Sequence, residues 1–317
     1  MAGLVENPVL IPFPQNEKIA VHTPRDPPVV RWNGGRSSNP SAIGWLRETL
    51  KDSPIVEMRR RYEEDGYILI KGLIPREVVL DMREHYFTHM RSTGLIAPGS
   101  DPRDGLFDFS SSPEEFNSIG APSYPDRTKL QAMAAAHCTP EYLDFLQNPQ
   151  MREFVRQFMG WGKEVLLART LLRHCVPHGI SLAIHYDKIF LRGGNPANDF
   201  LTASTNRGQL HRESPNTTAR RTTQSIQQEH GPEWISGTDA QEFYEAEGRD
   251  FRAAKEWLTA DYEAGDVIFH DPYIVHGTTL NEDKLNRIRL STDLRFYQEG
   301  TSVDERWTKV WMPTDGL

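Results

Sequence analysis

The sequence predicts a helical first half followed by an antiparallel β sandwich or barrel, and two observations carry that prediction. Between residues 41 and 159, apolar residues recur at helical spacing in stretches punctuated by Gly and Pro. From residue 257 onward, short apolar runs follow in quick succession: Trp257 to Tyr262, Asp266 to His270, Ile274 to Thr279 and Ile288 to Tyr297. A chain of 317 residues with 38% hydrophobic content is large enough to bury a core as one domain.

Taken in order, residues 1–42 are rich in Pro, Asn, Gly and Arg and read as an irregular arm, leaving residues 43–317 as a single domain. Gly34 and Gly35 lack the Lys-Ser/Thr continuation of a phosphate loop. From Ser41 the run IGWLRETLKDSPIVEMRRRYEEDG reads as helix stopping at Gly66, and Tyr67 to Lys71 is a compact strand. Pro75 opens a helix through about His89 with Val78, Val79, Met82 and Tyr86 as its buried stripe. Residues 95–130 carry the Gly, Pro, Ser and Asp of long loops, the kind that covers a site. Two short helices follow at Pro140 to Gln147 and Pro149 to Met159. Glu164 to Val176 and Ser181 to Leu191, separated by Pro-His-Gly, read as an antiparallel pair. Residues 204–235 are polar, nearly free of aliphatic side chains and without a period, and a helix is expected from about Asp239 to Ala254.

Net charge and cysteine usage exclude several classes. A formal charge of −8 does not suit a nucleic-acid groove, which needs clustered Lys and Arg. Cys138 and Cys175 make neither a disulfide framework nor a CxxC pair, so the expected compartment is reducing. No secretory leader, membrane span or Ser-Lys-Leu peroxisomal ending is visible, and a cytoplasmic location is expected.

The chemistry centres on SLAIHYDKIFL. His185 and Asp187 are two apart, so on a strand both would face one side and reach one metal ion. One such triplet is expected by chance among eleven histidines, and a surface ion pair would explain it equally well. A third ligand would complete an open iron site of two imidazoles and a carboxylate. His276, in the apolar run IVHG, is the candidate, although a lone histidine there is more often a satisfied core residue. Arg287 lies eleven residues further on and Ser291 fifteen, on a strand alternating charged and apolar residues. A guanidinium directed into a barrel receives a carboxylate through two parallel hydrogen bonds, whereas one facing outward only meets solvent. His174, Cys175 and His178 are a poorer metal set, since Pro177 interrupts them. Arg169 and Arg173 are alternative anion contacts or ion-pair partners, and no nucleophile elbow is present.

HYD, then HGT, then the arginine and serine at these distances, resemble the phytanoyl-CoA dioxygenase family, as does the opening RRRYEEDGYILIKGLIPREVV. The resemblance covers about residues 55–95 and 164–311. It implies a mainly β fold with α elements: a double-stranded β-helix of the jelly-roll or cupin-like kind behind a helical N-terminal half. It implies an oxygenase dependent on Fe(II) and 2-oxoglutarate, consuming O2 and helped by ascorbate. His185, Asp187 and His276 would hold iron, Arg287 the far carboxylate of 2-oxoglutarate, with Thr278 and Ser291 as further contacts. A carboxylate at Asp187 favours hydroxylation or desaturation over halogenation. The expected partner is a small or medium organic molecule, as in secondary metabolism, with neither nucleic acid nor membrane involved. Alternatives are an acyl-CoA hydroxylase, a cupin-like isomerase or lyase without need of Arg287, and a silent β-helix protein. Residues 204–235 depart from the family's pattern; a lid loop, an insertion or a mistranslated stretch would each produce this, and the abrupt change favours the last.

Overall fold

The computed structural model describes residues 29–31, 43–117, 119, 127–182, 187, 200–205, 209–212, 256–272, 274 and 276–314. The expected helix at 239–254, most of the arm and most of the polar segment lie outside these residues, as do 183–186 and 188–199.

The first departure from expectation comes at residue 43. Instead of one helix from Ser41, the chain forms β1 (Ile43–Trp45) and β2 (Glu48–Leu50), and helix α1 (Ile55–Asp65) begins only after Pro54. Proline has no N–H to give a preceding helix, and the residues before it find sheet edges instead. β1 runs parallel to β8 (Glu256–Thr259), and β2 runs parallel to β3 (Tyr67–Lys71). Gly66 closes α1 in the left-handed region at φ 74°, its N–H bonded to the Tyr62 carbonyl.

Helix α2 (Arg76–Met90) follows Pro75 as expected. Its buried stripe is shifted by a turn to Met82, Tyr86, Phe87 and Met90, with Val78 and Val79 half-buried at its margin. Helix α3 (Arg127–Ala136) was not legible among the loop residues, while α4 (Pro140–Phe145) and α5 (Pro149–Met159) stand where two short helices are expected. Thr139 and Asn148 cap the last two, each accepting a backbone N–H, with Pro at the first helical position.

The C-terminal strands form two sheets among the described residues. The larger has the order β2-β3-β9-β6-β11-β4, with β5 also pairing with β11; β4 is Glu164–Leu166, β5 Leu171–Cys175, β6 Phe200–Thr205, β9 Val267–His270 and β11 Arg289–Gln298. The smaller has the order β1-β8-β7-β10, with β7 at Gln209–Arg212 and β10 at His276–Gly277. Most pairings are antiparallel. The predicted run Glu164 to Val176 is therefore two strands, both pairing with β11, and the proposed partner Ser181 to Leu191 lies largely outside the described residues. β7 falls inside the segment expected to be without order: its backbone pairs β8 to β10, so sheet hydrogen bonds supply what the side-chain pattern does not.

Alternation along β11 separates two environments. Thr292, Leu294 and Phe296 face the helices, where Leu294 and Phe296 join the main apolar core with Phe269, Phe154 and Tyr86. Ser291, Asp293 and Arg295 point to the other side, opposite Arg173, Ser204 and Thr202 respectively on neighbouring strands. That inner face is polar where strands β5, β6 and β11 meet. Towards β3 it becomes apolar, and Tyr67, Leu69 and Ile268 pack on Leu258 of the smaller sheet with Leu46 and Ile274.

Candidate metal centre

A turn at Gly265–Asp266 sets the course of β9. Gly265 takes φ 106°, and a Cβ there would lie 2.3 Å from the Ile74 carbonyl oxygen, so only glycine fits. The Asp266 carboxylate accepts from the N–H of Gly72 at 2.9 Å and of Glu263 at 2.8 Å, and pairs with Lys71. β9 is thus pinned to the end of β3, and its last residue, His270, lies opposite Tyr67 and Thr202. The chain then turns back, with the Asp271 N–H bonded to the Gly66 carbonyl at 2.9 Å and the Ile274 N–H to the Asp271 carbonyl at 2.9 Å. This return delivers His276 to β10.

Asp187, His270 and His276 meet there, all buried, with one donor atom from each lying within 4.8 Å of the others. Each imidazole has its tautomer set by a neighbour. Nδ1 of His270 lies 3.0 Å from the Asp271 carbonyl oxygen, and Nδ1 of His276 lies 2.8 Å from that of Ile274. A carbonyl only accepts, so each Nδ1 carries a proton, and a ring in its neutral form keeps its lone pair on Nε2. Both Nε2 atoms face Asp187 Oδ2, at 3.8 Å from His270 and 3.9 Å from His276, beyond hydrogen-bond reach. The ring centroids are 4.6 Å apart. The other carboxylate oxygen, Oδ1, accepts a 2.7 Å bond from Nη2 of Arg295. Two imidazole lone pairs and one carboxylate oxygen converging on a buried point suit a divalent transition metal, and carbonyl bonds to the distal ring nitrogens are the usual support of such ligands.

The residues expected at the site divide. Asp187 and His276 lie together, with His270 as their third neighbour, and His185 lies outside the described residues. Thr278 is buried two residues beyond His276, its N–H bonded to the Leu182 carbonyl at 3.3 Å. Arg287 is not beside Asp187. Its side chain is 52% exposed and is held to Asp283 by a 2.7 Å bond within a turn whose Asn286 adopts φ 60°. That carboxylate raises the Arg287 pKa, chiefly through the direct hydrogen bond. Arg287, Arg289 and Ser291 line a cleft of about 760 Å³ with Arg83 of α2, and Asp187 and His276 are not among its lining residues. Arg83 is fully engaged: it donates to the carbonyls of Arg103, Asp104 and Ile288, and burial lowers its pKa to about 10.

Two site residues were not singled out from sequence. His270 belongs to the same FHDPYIVHG run as His276, but its position at a strand end disguised it as a core residue. Arg295 shares the parity of Arg287, and the signal was the continuation of the charged and apolar alternation through Asp293 and Arg295. Arg173, held open as an anion contact, is paired instead with Asp293 at 2.7 Å, and Ser204 donates to the same carboxylate. Arg169 is buried with its guanidinium 5.5 Å from the Trp307 ring. His174 faces the helices, not the metal group: its Nε2–H donates to the Phe116 carbonyl and its Nδ1 accepts from the Tyr86 hydroxyl at 2.6 Å.

No family model matches the chain, and no curated protein matches it in sequence. Solved structures resemble it in shape. The non-heme α-ketoglutarate-dependent carbocyclase SnoK from nogalamycin biosynthesis aligns with a TM-score of 0.48 and 16% identity, over 86% of this chain and 92% of that one. The epimerase SnoN, solved with Fe3+, α-ketoglutarate and nogalamycin RO, gives 0.47 and 14% over 83% and 87%. AviO1 from Streptomyces viridochromogenes gives 0.45 and 14% over 78% and 97%. These scores lie below 0.5, and what the names say of iron and α-ketoglutarate is said of those proteins.

Proposed function

We propose that this protein is an Fe(II)- and 2-oxoglutarate-dependent oxygenase of the phytanoyl-CoA dioxygenase type, hydroxylating or desaturating a small organic molecule on a double-stranded β-helix. The observation that carries the reading is the pair of Nε2 atoms facing one oxygen of a buried carboxylate, with each Nδ1 bonded to a backbone carbonyl. His185, Asp187 and His276 are the proposed iron ligands, with His270 beside them. Bound iron and 2-oxoglutarate would supply the oxidant, one oxygen atom of O2 passing into succinate as CO2 leaves and the other oxidising the substrate.

The chain's own residues have narrower tasks. Asp187, His185 and His276 would hold the metal, with the buried His270 beside them, while the apolar packing of Leu69, Ile268 and Leu258 closes the space between the sheets on one side. A dicarboxylate needs an inward guanidinium for its far end. The resemblance points to Arg287, which must first leave Asp283. Arg295 is already buried at 1% exposure, and its Nε and Nη1 make no hydrogen bond among the described residues. Secondary-metabolite tailoring is the setting that best suits this reading, as no acyl-CoA-specific feature is visible in the sequence.

The test is succinate formation from 2-oxoglutarate by anaerobically purified protein given Fe(II), ascorbate and then O2. Succinate that disappears in His276→Ala supports the reading; its absence with wild-type protein that binds iron sinks it. The outward pairing of Arg287 favours a second reading, a metal-dependent isomerase or lyase of cupin type. It is distinguished by metal binding without any 2-oxoglutarate binding in calorimetry.

A further inference from the structure

Arg295 occupies an unusual place. It lies on the polar face of β11, opposite Thr202 of β6, and is among the largest fully buried side chains. Its Nη2 donates to Asp187 Oδ1 at 2.7 Å, both side chains being essentially inaccessible to solvent. The guanidinium lies 4.6 Å over the ring of Trp307, and Trp307 is itself packed among Leu167, Phe200 and Tyr297. The arginine is therefore located by its strand and by an aromatic platform, and it holds one oxygen of the carboxylate.

A carboxylate free to rotate can present either oxygen, or both, to a metal. Here one oxygen is committed to Nη2, and the other is the one that faces His270 and His276. We propose that Arg295 is a positioning residue that fixes Asp187 as a one-oxygen ligand and so sets how many metal positions remain open. This inference rests on the metal-centre reading above, although not on the identity of the co-substrate. Its consequence is specific. Without the bond to Nη2, Asp187 would turn to offer both oxygens, filling a position that the intact site keeps for an exchangeable ligand.

The experiment uses the full chain and Co(II) alone as probe, read by anaerobic titration of its visible absorption. Wild-type protein is expected to bind one equivalent; failure of wild type to bind overturns the metal-centre reading itself. Arg295→Met keeps the stem against Trp307 and removes the donor. It is expected to weaken Co(II) binding by roughly tenfold to a hundredfold, the usual loss when a ligand's supporting hydrogen bond is removed, and to change the band shape as coordination changes. Arg295→Lys, which restores a charged donor, should recover most of the affinity. A folded Arg295→Met that binds Co(II) with wild-type affinity and spectrum overturns the positioning role. Should Arg295→Met fail to fold, Trp307→Leu decides: displaced bands are expected once the platform is gone, and a spectrum and affinity equal to wild type overturn the inference.

Discussion

At the scale of single residues, the site joins what the sequence announces to what only packing reveals. Asp187 and His276 were named because HYD, HGT and the arginine beyond them together resemble a known ligand pattern, while neither was decisive alone. His270 was not, because a histidine at a strand end has an ordinary explanation until its Nε2 is seen to face Asp187. Arg287 was chosen by distance along the chain from His276, whereas burial selects Arg295; the turn at Asp283 to Asn286 directs Arg287 outward. Asp187→Ala is expected to abolish iron-dependent succinate formation, and activity retained in that variant would remove Asp187 from the metal. For the co-substrate, Arg287→Ala and Arg295→Met are to be compared by the 2-oxoglutarate KM in the same assay. A rise of about tenfold or more, the loss of one charge-assisted pair, is expected in the variant that loses the anchor. If neither KM moves, neither Arg287 nor Arg295 holds the far carboxylate.

At the scale of elements, the C-terminal strands were legible and the segment before α1 was not. Short amphipathic runs satisfy both the period of two and that of 3.6, so the pattern at residues 43–50 could not decide; the available edges of β3 and β8 did. β7 was illegible for a different reason, since backbone pairing on both sides needs no apolar pattern. The α3 to β5 junction carries a testable linkage. His137 donates from Nδ1 to the Met133 carbonyl and accepts on Nε2 from the Leu172 N–H, fixing a neutral ring. Burial lowers the pKa of both His137 and His174 to about 4. Because the unfolded chain takes up these protons first, near pH 6.5, stability is fully present above that pH and declines as pH falls towards 4. Chemical denaturation of metal-free protein should show a loss of about 2 kcal/mol per histidine between pH 7 and pH 5, and His137→Gln should flatten part of that slope. The turn into β9 is similarly exposed to test. Gly265→Ala is expected to cost roughly 2 kcal/mol or more, from a disallowed φ and a clash with backbone, read as a lowered denaturation midpoint.

At the scale of the whole molecule, the two-sided character of β11 organises the fold. Its helix-facing residues complete the main core while its inner residues build a buried polar lattice of Asp187–Arg295 and Asp293–Arg173 pairs. Sequence reading reached the division into helical half and sheets, because that depends on pattern. It did not reach the lattice, because which charges are inward depends on register. Metal should stabilise the native state by mass action, by about 2.7 kcal/mol at a hundredfold excess over Kd. A thermal midpoint that rises with Co(II) in wild type but not in Asp187→Ala is the expected result. His270 ends a strand of the larger sheet, and His276 begins a strand of the smaller one. An ion shared by them is a bolt through two plates, and its colour reports the gap between them. Under hydrostatic pressure or mild denaturant, the Co(II) bands should therefore shift while far-ultraviolet dichroism is still unchanged, making the centre a strain gauge for the first parting of the sheets.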